Sequence, residues 1–417
     1  MHTVNAFLIL LTVATLVAAS SRRLRIPYTV ALVAVGLLLG AFGKVDAPQL
    51  DKELLFAVFL PGLLFEAAYH LKSDEFWRNK FAIIMLAVPG VVVSIVLTAL
   101  LVIAAGSAGW LATLGWRQAL VFAALIAATD PVAVVALFRE LGVDRRLQVL
   151  VEGESLLNDG TAVVIFTLAV AIATGGEPNA SAPLALLAKF LLMVGGGVFV
   201  GLLVALGVTA VMRRLDDPAT EITLTMIAAY GSFALAEALG VSGVIATVAA
   251  GMLCGSYAER MAMSPATREA VVGFWSYASF MLNSIVFLLL GLRVHLHALV
   301  DAWLPILLAY LAVTIGRAIM IVGVSALLRP TGERLEEGWP RILVLGGLRG
   351  ALSMVLALSL PLNFPARDQI VTITFGVVVV SILLQGSATA IAIGRMAKRS
   401  ASRSDITIAS PVGDAPG

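Results

Sequence analysis

The chain has 417 residues, 60% hydrophobic and 13% charged, with a mean hydropathy of +1.00 and a formal net charge of +2. A soluble protein cannot hide that much apolar surface and carries about twice the charge; with no basic tract interleaved with aromatics, nucleic-acid binding is excluded as well. The one cysteine, Cys254, excludes an internal disulfide framework and a cysteine metal cage.

Repeated apolar runs match the ~20 residues a helix needs to cross a bilayer core, so the chain reads as an all-α polytopic membrane protein. The first run, MHTVNAFLILLTVATLVAAS, lacks the positive start of a signal peptide and reads as a span over 3–20. Spans follow at 27–43, 54–70 (with Glu66 in FLPGLLFEAA), 81–105, 117–138 (with ATDPVAVV) and 148–173, which begins near VEGESLLNDG. The second half continues with 184–212, 220–239, 241–257, 270–292, 303–328 (with a lone Arg317), 341–361 (with LGGLRGALS) and 370–394, about thirteen spans in all. With the N-terminus outside, 20 of the 28 Lys and Arg fall in inner loops and six in outer ones, which predicts N-out and C-in. Residues 1–399 read as a single transmembrane domain and the polar, aperiodic 400–417 as a disordered cytoplasmic tail. The odd span number suits two inverted six-helix repeats, 3–173 and 220–394, around a connector at 184–212. In that scheme the fifth and twelfth spans correspond, and both carry helix-breaking residues.

Pro131 lacks an N–H, clashes with the carbonyl of Ala127 and pushes Asp130 out of helical geometry. The fifth span should therefore be interrupted near mid-membrane, where irregular backbone persists only if buried in protein or lining a wet cavity. In the twelfth span Gly346, Gly347 and Gly350 surround Arg349; this spacing serves either close packing or a second break. Two interrupted helices that cross would leave half-helix ends of both signs, with Asp130 set against N-terminal dipoles and Arg349 against C-terminal ones.

VEGESLLNDG crowds acids into an apolar helix, and rotation by about 100° per residue sorts them. Ser155 and Glu152 lie within about 40° of Asp159, Asn158 about 100° aside, and Glu154 about 140° round. Asp159 and Asp130 reach similar depth on antiparallel neighbours, so with Thr129 and Ser155 they form a set of hard oxygen ligands suited to a small hard cation. Glu154 faces elsewhere and is expected to pair with Arg317 as a structural or gating ion pair. Glu152 suits a wetted inner mouth, Glu66 either a third site contact or a helix end, His70 an interface, and Glu237 solvent. His295 and His297 are too sparse for a metal site, and Asn179-Ala180-Ser181 is a formal glycosylation triplet. No nucleotide motif or cofactor site is present in the sequence. Among other readings, a passive cation channel is a near rival, and an intramembrane aspartyl protease using Asp130 and Asp159 lacks the glycine-x-glycine-aspartate signature.

ATDPVAVVALF, VEGESLLNDGTAVVIF, GGLRGALS and FLPGLLFEAA resemble, in the expected order, segments of the monovalent cation:proton antiporters, the sodium/proton exchangers of NhaP and NHE type. RRLRIPYTVALVAVGLLLG is similar to the second span of plant salt-tolerance exchangers. The resemblance covers the chain to about residue 395. It implies a thirteen-helix inverted-repeat homodimer in a cell membrane of prokaryotic type, exchanging Na⁺, in some members Li⁺ or K⁺, for protons by alternating access. By position it implies that Asp159 is the essential ion-binding acid, Asp130 and Thr129 are unwound-helix ligands, Ser155 is a further ligand and Glu66 is a nearby acid. It implies a buried Glu154–Arg317 pair. The Asn158-Asp159 pair matches the branch associated with electroneutral one-for-one exchange. The long regulatory tail of animal members has no counterpart here, so regulation through it is not expected.

Overall fold

A bilayer core offers no water to backbone N–H and C=O groups, so apolar runs of this length close their hydrogen bonds internally, as helices. The computed structural model describes residues 2–24, 28–41, 55–108, 114–175, 183–293, 296–389 and 391–394, and every regular element among them is helical. Among the described residues, seven helices are long and apolar enough to cross a membrane. The expected tail at 400–417, the Asn179–Ser181 triplet and His295 lie outside the described residues.

In chain order the principal helices are α1 (His2–Leu24), α2 (Tyr28–Ala41), α3 (Leu60–His70), α4 (Lys80–Ser107), α5 (Trp116–Leu125), α6 (Val132–Leu141) and α7 (Arg145–Thr174). After these come α8 (Pro183–Met212), α9 (Pro218–Ala238), α10 (Gly243–Leu253), α11 (Pro265–Arg293), α12 (Trp303–Leu328), α13 (Trp339–Leu345), α14 (Ala351–Leu358) and α15 (Arg367–Gly394). Most ends fall within a few residues of the hydropathy reading. The fifth and twelfth spans each divide in two, as α5 with α6 and α13 with α14. The third span carries a π turn at Leu55–Phe59 that runs directly into α3, with Pro61 just past the junction.

Local chemistry sets the helix ends. Asp144 accepts the Arg146 N–H at 2.8 Å to start α7, and Gly175, at φ 71°, ends it. Asp217 starts α9 by accepting the Thr220 N–H at 2.8 Å, and the Thr220 hydrogen bonds hold its carboxyl below the usual range. Where α2 crosses α11, Gly36 lies against the Leu288 carbonyl and Gly291 against that of Val33, leaving no room for a Cβ on either. α7 is buried along most of its length, which puts the VEGESLLNDG segment at the centre of the molecule.

Candidate ion-binding site

α5 stops at Leu125 and α6 starts at Val132, with Pro131 in the cap position. The stretch between them leaves carbonyls without helical partners, and side chains from elsewhere take those of Ala127, Ala128 and Thr129. Ala127 O accepts Asn158 Nδ2 at 3.0 Å and Arg349 Nη1 at 2.6 Å, and Ala128 O accepts the same Arg349 nitrogen at 3.3 Å. Thr129 O accepts the Ser155 hydroxyl at 2.6 Å. On the far side of the break, Asp130 Oδ1 accepts the Val132 N–H at 3.0 Å, at the N-terminus of α6. Arg349 and Asp130 therefore meet the half-helix ends of opposite sign, as dipole reasoning anticipates.

The glycine segment is a second break, between Leu345 and Ala351. Leu343 O accepts Arg317 Nε at 3.1 Å, Val344 O accepts Gln385 Nε2 at 3.0 Å, and Leu345 O accepts the Thr389 hydroxyl at 2.9 Å. The two breaks bond directly, the Asp130 N–H donating to Leu348 O at 2.8 Å. Two glycines are dictated by this crossing. A Cβ on Gly350 would overlap the Asp130 side chain, and one on Gly347 would overlap the Arg317 guanidinium.

Beside the crossing lies a cavity of about 290 Å³. Thr129, Asp130, Ser155 and Asp159 line one part of it, together with Glu66, His70, Glu152, Ser279 and Asn283. The Thr129 hydroxyl donates to Ser155 Oγ at 3.2 Å, so the two neutral oxygens are held together. Asp159 Oδ1 is buried and has no hydrogen-bond partner among the described residues. The other acids on the cavity wall have contacts: Glu66 Oε1 lies 3.3 Å from His70 Nδ1, and Glu152 accepts Gln148 Nε2 at 2.9 Å. Glu154 turns away from the cavity into a buried, two-pronged bond with Arg317, at 3.1 and 3.0 Å.

Most residues singled out in the sequence meet here, but not all do so alike. Asn158 is fully buried and does not line the cavity; its amide holds Ala127 O and, at 3.1 Å, Thr129 Oγ1. His70, read as interfacial, faces the cavity. Ser279, Asn283, Ser381, Gln385 and Thr389 were not singled out. The last three recur every four residues in an apolar helix, a signal of one polar stripe that becomes legible only once the stripe has a partner. Among the described residues no group of three or more His, Cys, Asp and Glu side chains could hold a metal ion. The Asp130 and Asp159 carboxylates stand on the cavity wall beside the neutral oxygens of Thr129 and Ser155.

The profile of the family described as "Sodium/hydrogen exchanger, transmembrane" matches residues 8–393, which include both breaks and the whole cavity wall. The chain belongs to the sodium/hydrogen exchanger family. Among curated relatives, this exchanger is 41% identical to the Na⁺/H⁺ antiporter ApNhaP of Aphanothece halophytica over 91% of its own length and 72% of the relative's. It is 36% identical to the Na⁺/H⁺ antiporter NhaP of Pseudomonas aeruginosa, over 95% and 96%. The fold of the sodium proton antiporter MjNhaP1 from Methanocaldococcus jannaschii at pH 8 superposes with a TM-score of 0.78 at 19% identity, covering 96% of this chain and 99% of that one. The exchanger is an integral membrane protein. Its cavity wall carries hydroxyl and carboxylate oxygens, and one of them, Asp159 Oδ1, is claimed by no side chain or backbone group of the described residues.

Proposed function

We propose that the protein is a secondary antiporter that exchanges Na⁺ for H⁺ across its membrane by alternating access, one for one. The observation that carries this reading is the buried, unclaimed Asp159 Oδ1 on a cavity wall shared with Asp130, Thr129 and Ser155. These four residues supply the Na⁺ ligands, with Glu66 at the cavity edge. A proton and a dehydrated Na⁺ cannot both occupy the Asp159 carboxylate, so each displaces the other. The loaded and protonated forms change sides, because a bare carboxylate is too costly to carry through a low-dielectric barrier. Glu154 is paired with Arg317 and Asn158 is uncharged, which supports one Na⁺ against one proton with no net charge moved per cycle.

The wider architecture belongs to the same proposal. Interrupted helices in corresponding places support two inverted repeats, 3–173 and 220–394, around a connector at 184–212, with about thirteen spans in one domain and a cytoplasmic tail from 400. The Lys/Arg bias supports N-out and C-in in a cell membrane. Exposed apolar side chains on α1 and α8, such as Leu16, Leu184 and Phe199, suit lipid and the partner of a homodimer. K⁺ and Li⁺ are the alternative cargo ions, and no cofactor or nucleotide enters the cycle.

Na⁺-driven proton movement in proteoliposomes, compared with K⁺ and Li⁺, tests the reading. Asp159→Asn is expected to abolish it while the protein still elutes as a folded species from size exclusion. Exchange retained in that variant rejects the assignment.

A further inference from the structure

α15 supplies no residue to the cavity wall, yet its polar side chains bond the second break. α15 runs as α-helix to Val380, widens into a π turn at Ser381–Gln385, and brings Ser381, Gln385 and Thr389 onto one buried stripe against the second break. The hydrogen bonds form a continuous relay. Thr389 and Gln385 take the last two carbonyls of α13, at 2.9 and 3.0 Å. Gln385 Oε1 in turn accepts the Ser381 hydroxyl at 3.0 Å, and Ser381 Oγ accepts the Arg349 N–H at 3.1 Å. Arg349 then reaches across the crossing to Ala127 O and Ala128 O, immediately before Thr129 and Asp130.

A π turn inserts one extra residue into a helical turn and re-aims the side chains around it, which is why such turns recur at functional sites. At this one, the hydroxyl of Ser381 both accepts and donates, so it cannot be removed without breaking the relay at two bonds. The relay ends on the carbonyls of Ala127 and Ala128, directly before Thr129 and Asp130, whereas Ser381, Gln385 and Thr389 are absent from the cavity wall.

We infer that Ser381 and Gln385 are positioning residues for Na⁺ recognition, acting through Arg349 on the Thr129–Asp130 segment. The inference rests on the exchange reading. Loss of one or two neutral hydrogen bonds in this relay corresponds to about a three- to tenfold change in an equilibrium constant.

The test uses the full-length protein in proteoliposomes, with Na⁺ concentration and pH varied. Ser381→Ala and Gln385→Leu are each expected to raise the KM for Na⁺ about three- to tenfold, with a smaller change in maximal rate. Ser381→Thr, which keeps the hydroxyl, is expected to bring KM back toward the parent value. Size exclusion and thermal unfolding of each variant separate misfolded protein from altered recognition. An unchanged KM in folded Ser381→Ala and Gln385→Leu, with only the maximal rate or Tm reduced, overturns the inference, as does a Ser381→Thr variant no better than Ser381→Ala. If the parent protein shows no Na⁺-dependent proton flux, the exchange reading has failed instead.

Discussion

At the scale of single residues, the molecule separates charge that is neutralised from charge that is left available. Glu154 and Arg317 are both almost fully buried and joined by two parallel bonds, a geometry that matches the guanidinium fork to the carboxylate. Removing one partner leaves a buried charge uncompensated, which costs about 3–5 kcal/mol, whereas replacing both with apolar residues is close to neutral. Arg317→Leu is therefore expected to lower Tm sharply in detergent, and Glu154→Leu/Arg317→Leu to recover part of the loss; a double variant no more stable than the single one contradicts the pairing. This pair was legible in the sequence because helical rotation sets Glu154 apart from Asp159 and because a lone arginine in an apolar span requires an acid. The role of Asn158 was less legible. Its angle places it beside the site, but only the unwound backbone of the first break shows that its amide is engaged by Ala127 O and Thr129 Oγ1 rather than facing the cavity.

At the scale of elements, the two breaks differ in how they declare themselves. Pro131 announces the first through covalent geometry, since it lacks the N–H a helix interior would bond and its ring clashes with the carbonyl four residues back. Glycines announce nothing alone, and the second break is explained only by what surrounds it: Arg317 against Gly347, Asp130 against Gly350, and polar side chains of α15 on the carbonyls of α13. The partners come from helices distant in sequence, so no local pattern could reveal them. The crossing makes a specific demand of Gly350. Gly350→Ala places a methyl on the Asp130 side chain, and overpacking of this kind costs about 1–3 kcal/mol. That variant is expected to lose most Na⁺-dependent proton flux, while Gly323→Ala, where a Cβ meets open space in α12, is expected to stay within about twofold of the parent, a difference well under 1 kcal/mol. Equal activity in the two alanine variants would show that the close contact at Gly350 is dispensable.

At the scale of the whole molecule, composition and span lengths make the all-helical membrane fold legible, and ordered motifs make the family legible. The cavity wall required tertiary placement, because Asn283 and Ser279 on α11 come from a helix that carries no motif. Buried charge gives the prediction that belongs to this scale. With one free carboxylate exchanging one Na⁺ for one proton, an imposed membrane voltage is expected to leave the exchange equilibrium unchanged in proteoliposomes. Voltage-driven Na⁺ accumulation rejects that stoichiometry. The bond from Arg349 to Ala127 O has a further consequence, for biogenesis. The two residues lie 222 positions apart, so the ribosome completes the first break long before its arginine exists. During that interval Asn158 can hold the Ala127 carbonyl, but the Ala128 carbonyl is left to water or to the insertion machinery. The N-terminal half of the chain therefore enters the bilayer with an unfinished seam that only the C-terminal half can close.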